Sequence, residues 1–307
     1  MSETNNLAGK IVGVEISKLW LKAVSLDAGG KLTDVYRNPV SGDQTLFSQI
    51  IQFLKETKTR FGDFEKIGIA VPGLIHQETK RVAFSTYFPE HETIDFVGEI
   101  EAATHLKITI DNDANAAAYG EFILGAGRGS RNLFYATLGT GIGGAMIFDG
   151  KIWHGVSGFA GEFGHIAINT EGLKLEDVAS AANIVRRTRS RFQQDSTSSL
   201  SNLDEDEIGL KDVITAAQEG DDFAVLMLER TGKYVGSVLA AVINLLNVER
   251  IVVGGGIMQA ENLVLDAIIK SAKALSFAPS FAATQIVSGE LGGNAAAAGI
   301  ALLSARA

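Results

Sequence analysis

Displaced by 122 positions, the first hairpin of the chain lands on a second one: Glu15 falls on Thr137, Ile16 on Leu138, Ala23 on Ala145 and Asp27 on Asp149. Self-similarity at a fixed shift points to a structural unit used twice. Two unrelated hairpins would fit the same register, so the repeat alone leaves duplication and coincidence open. The patterns around it narrow the choice. Ile11–Val14, Leu19–Leu26 and Leu32–Val35 are short apolar runs, the last two parted by Asp27-Ala28-Gly29-Gly30, and they read as an antiparallel meander. From Asp43 the period changes: Leu46, Phe47, Ile50, Ile51 and Leu54 recur at helical spacing, with Asp43 available as the cap. Ile67–Val71 reads as a buried strand ending at Pro72-Gly73, Ile108–Ile110 as another, and Ala114–Leu124 as a helix.

The order then recurs. Asn132–Leu138 and Ala145–Phe148 read as strands joined through glycines, with a turn at Asp149-Gly150. Helical patterns follow at Glu176–Phe192 and Asp221–Leu246. Ile251–Val253 is a buried strand running into Gly254-Gly255-Gly256, and a helix from Glu261, a strand at Gln285–Ser288 and an alanine-rich helix from Asn294 complete the series. Strands alternating with helices predict an α/β protein, and 307 residues suit two moderate cores better than one.

Charge and cysteine usage exclude several function classes. The formal net charge is −9 with no basic block, whereas duplex binding needs a basic face to displace counterions, so no nucleic-acid partner is expected. The acidic run Asp204–Glu207 after the serine-rich Ser196–Ser201 reads as a solvated loop. There are no cysteines, which rules out disulfides and thiolate metal sites. No basic region leads into an apolar one before Ile11, and no apolar run is long enough to cross a bilayer. A cytoplasmic protein without a membrane partner is the expectation.

Three segments carry chemistry. In Leu138-Gly139-Thr140-Gly141-Ile142-Gly143-Gly144, alternate glycines after a strand let backbone amides approach a ligand, as a phosphate cradle requires. The lysine of a Walker loop and the dinucleotide spacing are both missing, and a plain glycine-rich hairpin turn is the competing reading. Ile110-Asp111-Asn112-Asp113-Ala114-Asn115 puts a carboxylate where a buried strand ends and a helix starts, the usual ligand end of an α/β sheet. Asp113 there reads either as a general base for a hydroxyl or as a helix cap. Gly161-Glu162-Phe163-Gly164-His165 joins a carboxylate and an imidazole, both suited to vicinal hydroxyls, although a lone histidine is more often structural.

In order and spacing, Pro72-Gly73, Asn112–Asn115, Leu138–Gly144, Glu162–His165 and Gly254–Gly256 resemble the ROK family of bacterial sugar kinases, glucokinase-like enzymes among them, and sugar-responsive repressors. The resemblance covers the chain from Ile11 to the last helix. It implies the two-lobed, actin-like (ribonuclease H-like) ATPase fold, a duplicated sheet-plus-helices domain with a cleft between lobes. The N-terminal lobe is expected at residues 8–113 with about 292–307, and the C-terminal lobe at 114–291. It implies Asp113 as the base, and Gly73, Asn112, Asp113, Glu162, His165 and Glu176 as sugar-binding residues. Gly139, Thr140 and Gly141 resemble a phosphate loop, and Gly254, Gly255 and Gly256 the segment near the adenosine. Ser85–Asp95 is expected to contribute to ring recognition, and a homodimer is the expected assembly.

The activity so implied is an ATP-dependent kinase acting on a hexose or N-acetylhexosamine hydroxyl. The alternative is a non-catalytic sugar sensor or regulator with lost or weakened ATP use. Two departures bear on that choice. The kinases' first hairpin carries Asp-x-Gly-Gly-Thr, but Glu15-Ile16-Ser17-Lys18-Leu19 stands here. Side chains crowd the path that glycines leave open, Lys18 is the one candidate phosphate contact as a point charge, and Mg2+ would fall to Glu15. Family members also follow the histidine with a cysteine-rich zinc loop. Ile166–Lys174 has no cysteine, reads as a simple connection, and implies no zinc. Few residues precede Ile11, too few for the helix-turn-helix of the repressors.

Overall fold

The structure, a computed structural model, describes residues 10–85, 88, 90, 93–192 and 197–306. In chain order its elements begin with β1 (Ile11–Ile16), β2 (Trp20–Leu26), β3 (Leu32–Pro39), α1 (Leu46–Phe61), β4 (Lys66–Val71), β5 (Leu74–His76), β6 (Arg81–Phe84), α2 (Phe96–Thr104), β7 (Lys107–Asn112) and α3 (Asp113–Leu124). They continue with β8 (Leu133–Leu138), β9 (Ile142–Phe148), β10 (Lys151–Ile152), α4 (Glu176–Ala179), α5 (Ala181–Arg189), α6 (Leu210–Gln218) and α7 (Asp222–Leu246). The last are β11 (Arg250–Gly254), α8 (Asn262–Leu275), α9 (Ala278–Ala282), β12 (Gln285–Ser288) and α10 (Ala295–Arg306).

Two five-stranded sheets run β3-β2-β1-β4-β7 and β10-β9-β8-β11-β12. In the first, β1 pairs antiparallel with β2 and parallel with β4, and β4 pairs parallel with β7. In the second, β11 lies parallel to both β8 and β12. The sheets therefore repeat one order, and the 122-residue recurrence is a real duplication: a hairpin strand pair followed by parallel strands that helical crossovers must connect. β1 to β3 form the expected meander.

Contacts divide the chain into two compact units. One takes the described residues up to Gly129, Ala145–Ala160, and those from Gly293; the other takes Ser130–Gly144 and Gly161–Gly292. The division expected after Asp113 falls elsewhere, because α3 stays with the first unit. The cause is α10. Its small residues let helix backbones and strand backbones meet: a Cβ on Gly13 would stand 2.1 Å from the Ala297 carbonyl oxygen, one on Gly68 2.2 Å from that of Ile300, and one on Gly120 2.5 Å from that of Ala295. α10 is thus laid directly on β1, β4 and α3, and Ala295–Leu302 is buried throughout.

Two helix assignments also change. Thr45, not Asp43, caps α1, its side chain accepting from the Ser48 amide. The pattern over Glu176–Phe192 is broken at Ser180, which is extended at φ −70°, ψ 159°. The break has local causes: Asn183 Nδ2 donates both to the Glu176 carbonyl and to Ser180 Oγ, and the Ala181 amide donates to the Gly139 carbonyl outside the helix. Asp204–Glu207 is exposed, as expected of a solvated segment, and its last three residues form a short 3-10 turn. No helix among the described residues is long and apolar enough to cross a membrane.

The α3–α10 crossing gives a direct test. A Cβ on Gly299 would stand 1.7 Å from the Ala116 carbonyl oxygen, which is backbone and cannot swing away. Gly299→Ala should therefore lower stability by about 2 kcal/mol or more, at the upper end of overpacking costs. Urea unfolding reads this as a lower midpoint, and an unchanged midpoint would contradict the packing described.

Candidate functional site

In the first unit the site is built where β7 ends. Asn112 is the N-cap of α3, its Oδ1 accepting from the amides of Ala114 at 2.9 Å and Asn115 at 3.1 Å. Its Nδ2 donates to the Gly73 carbonyl at 3.0 Å and to Asp113 Oδ1 at 3.1 Å. An amide offers two donors and one oxygen with two lone pairs, so this side chain is saturated within the protein. The sugar contact expected of Asn112 would require exchanging one of these bonds. Because Asn112 caps, Asp113 need not: it occupies the first helical position, and its Oδ1 also accepts from the Ala114 amide at 2.9 Å. Gly73 fits its place through close packing, since a Cβ would meet the Phe84 carbonyl at 2.4 Å.

Asp111 and His154 belong to the same network, and sequence reasoning missed both. Asp111 is 6% exposed. Its Oδ1 accepts from the Asn112 amide at 2.8 Å and Asn115 Nδ2 at 3.0 Å, and its Oδ2 lies 2.8 Å from His154 Nε2. A buried carboxylate requires such partners. The available signal was a charged residue inside a strand that otherwise reads as buried.

The first hairpin turn closes on itself. The Ser17 amide and hydroxyl both donate to the Trp20 carbonyl at 2.9 Å, and the Trp20 amide donates back to Ser17 Oγ at 3.1 Å. Lys18 is exposed and Leu19 is 64% exposed. Glu15 Oε2 is paired with Lys22 Nζ at 2.9 Å, and Lys22 also donates to the Gly293 carbonyl. Among the described residues no group of three or more His, Asp or Glu side chains converges as a metal site. With its carboxylate already neutralised by an ammonium, Glu15 does not fit the magnesium ligand expected of it.

In the second unit, β8 and β11 run side by side with Thr137 opposite Gly254, which brings both expected nucleotide segments to one sheet end. The Gly139 amide donates to the Gly141 carbonyl at 3.0 Å, and the Ile142 amide donates to Glu176 Oε2 at 2.7 Å. β9 already starts at Ile142, so Gly143 and Gly144 are strand rather than loop. The part of the loop left to face a ligand is Thr140-Gly141, both exposed. Gly255 has φ +93° and a Cβ there would stand 2.3 Å from the Leu138 carbonyl, whereas Gly256 opens on empty space. Glycine is required at 255 on both counts.

Glu162 precedes and His165 ends a short 3-10 turn, Phe163–His165, pinned by Gly164, whose Cβ would meet the Ile142 carbonyl at 2.2 Å. Glu162 presents a large surface to solvent, yet the protein packed around its carboxyl raises its pKa; His165 opposes the rise and Glu176 adds to it. These three side chains therefore share one electrostatic neighbourhood. The segment after them is more than a simple connection. Ile168 N donates to the Leu173 carbonyl at 2.7 Å, Leu175 N to the Ile166 carbonyl at 3.0 Å, and Ala167 bridges Lys174, making a small hairpin. Of Ser85–Asp95, positions 86, 87, 89, 91 and 92 lie outside the described residues, so the ring contacts expected there are not assigned.

The model of the ROK family matches residues 12–307. The chain belongs to the ROK family. A glucokinase from Halalkalibacterium halodurans is 34% identical over 273 residues, covering 83% of this chain and 82% of that protein. The xylose repressor of Bacillus subtilis is 28% identical over 310 residues, covering 96% of this chain and 77% of that protein. A ROK-family glucokinase from Streptomyces griseus, solved with glucose and AMPPNP, superposes with a TM-score of 0.86 at 28% identity, covering 97% of this chain and all of that one. The duplicated sheets are therefore those of the actin-like ATPase fold that ROK proteins share.

Two outcomes follow for this ROK chain. Asn112→Ala removes a helix cap and should lower stability by about 1–2 kcal/mol, read as a shift of the denaturant midpoint at constant slope. Glu162 has a native pKa above its ordinary 4.5. Its contribution to stability is therefore full below pH 4.5 and is lost as the pH rises through the raised native value. Glu162→Gln should accordingly raise the thermal midpoint at neutral pH, with the gain vanishing below pH 4.5. An equal gain at both pH values would contradict the raised pKa.

Proposed function

We propose that the protein is a sugar kinase transferring the γ-phosphoryl group of ATP to a hydroxyl of a hexose or N-acetylhexosamine. One observation carries the reading: Asn112, saturated by capping α3 and bonding Gly73, also donates to Asp113 and so fixes that carboxylate where β7 ends and α3 starts, the ligand end of an α/β sheet. As general base, Asp113 takes the proton of the sugar hydroxyl while that oxygen forms the new bond to phosphorus. The bond from phosphorus to the bridging oxygen breaks, and ADP leaves. Such transfer depends on positioning and on stabilising charge rather than on covalent help from the protein.

Glu162, His165 and Glu176 are assigned to ring hydroxyls, with Gly73 and Asn112 holding the base in place. Gly139–Gly141 and Gly254–Gly256 are assigned to the nucleotide, which is proposed to arrive as its magnesium complex. Support comes from the H. halodurans glucokinase at 34% identity and from the glucose and AMPPNP held by the S. griseus enzyme.

A second reading is favoured by a specific observation. The turn at Ser17-Lys18-Leu19 is closed by its own serine and Glu15 is tied to Lys22, which suits a sugar-responsive regulator that does not turn over ATP. The xylose repressor relative supports it from the sequence side. Coupled ADP release over a panel of hexoses and N-acetylhexosamines separates the two. On the kinase reading, Asp113→Asn lowers kcat about 10²- to 10⁴-fold, the usual range for a lost general base, with sugar affinity retained. Activity surviving in that variant sinks Asp113 as base. Calorimetry that detects a hexose but no Mg-ATP at millimolar concentration selects the regulator.

A further inference from the structure

The family resemblance implies a zinc loop after His165, and the residues present do not fit one. The chain has no cysteine. Where a metal would be expected, an ammonium stands: Lys174 Nζ lies 3.1 Å from His165 Nδ1. A cation already against the imidazole opposes a second, doubly charged one.

We propose that Lys174 fixes the tautomer of His165, with Nδ1 the acceptor and the proton on Nε2. Lysine ammonium has three donors and no acceptor, so a bond to it requires a lone pair on Nδ1. A neutral imidazole with a bare Nδ1 carries its hydrogen on Nε2, and the partner of one ring nitrogen sets the state of the other. Both partners are held by backbone. The His165 amide donates to the Glu162 carbonyl at 3.1 Å. Lys174 is bridged to Ala167 across the hairpin, and its amide donates to Asp177 Oδ2 at 2.9 Å. The hairpin that follows the histidine therefore delivers a cation to its Nδ1 without a metal.

The consequence is a defined hydrogen-bonding polarity. Nε2–H is a donor, while the carboxylates of Glu162 and Glu176 are acceptors. A neutral vicinal diol matches this set, one hydroxyl oxygen accepting from Nε2–H and its neighbour donating to a carboxylate. With the proton on Nδ1 instead, the imidazole and both carboxylates would all be acceptors, and the diol would lose a partner. Lys174 is thus a positioning residue for sugar recognition, and its value for affinity rests on the proposed sugar role of His165.

The test uses full-length protein with 15N-labelled histidine, comparing wild type with Lys174→Met and Lys174→Arg; His165→Asn assigns the resonance. Methionine keeps an apolar stem of similar length but removes the donor. Long-range 1H–15N spectra of wild type above neutral pH should show Nδ1 as a bare acceptor and Nε2 as the protonated nitrogen. K174M should shift the ring toward a tautomer mixture, and K174R should restore the wild-type pattern. Calorimetry with glucose and with N-acetylglucosamine should show about tenfold weaker binding in K174M, the worth of one hydrogen bond, and recovery in K174R. A wild-type proton on Nδ1 overturns the proposal, and so does an unchanged tautomer in K174M. A changed tautomer with undiminished sugar affinity overturns the role in recognition. If wild type binds no sugar of the panel, the functional reading fails, and the spectra alone decide the tautomer.

Discussion

Backbone packed directly on backbone is the constraint on which the first unit depends. α10 meets β1 through Gly13, β4 through Gly68 and α3 through Gly120 and Gly299, with no side chain between the main chains. Contact at this range leaves no room for adjustment, because interiors are close-packed and main-chain atoms cannot rotate aside. It explains why alanine makes up six of the twelve residues of the last helix. The same contacts hold Ala116 and Gly120 of α3, the helix that begins at Asp113. The helix that carries Asp113 is thus supported by residues that have no functional groups.

Side chains at the site are largely spoken for before any ligand arrives. Asn112 uses both donors and its acceptor, Asp111 receives three donors on two oxygens, and Glu176 accepts from the Ile142 amide. Buried polar networks of this kind are stable when complete and costly when broken. The first hairpin turn shows the same economy in a different place: serine, by bonding Trp20, does for the turn what glycine does by conformation, at the expense of the open path beside it.

Much of this was legible in the sequence. Strand runs, the glycine punctuation and the 122-residue recurrence have local signatures, and they led to the meander, the buried parallel strands and the duplication. The break at Ser180 was only partly legible: the Asn183 bonds lie within the segment, but the Ala181 amide is drawn out of the helix by Gly139, far away in sequence. Hydrophobic period over Glu176–Phe192 carries no trace of such a bond. His154 escaped notice for the same reason: its partner Asp111 lies 43 residues away, and a lone histidine beside glycine reads as unremarkable. The place of α3 was misjudged because lobe boundaries depend on which surfaces are small enough to touch, and the small residues of α10 lie at the opposite end of the chain.

Glu176 carries one last implication. Its carboxylate holds the Ile142 amide at the end of the glycine loop while sharing an electrostatic neighbourhood with Glu162. A ligand that draws on this carboxylate alters the free energy of the loop, and by linkage a ligand settled in the loop returns the same free energy to the first. The coupling free energy is then a single quantity measured from two ends. Cooperativity of that kind needs no moving domain, only one carboxylate with two claims on it.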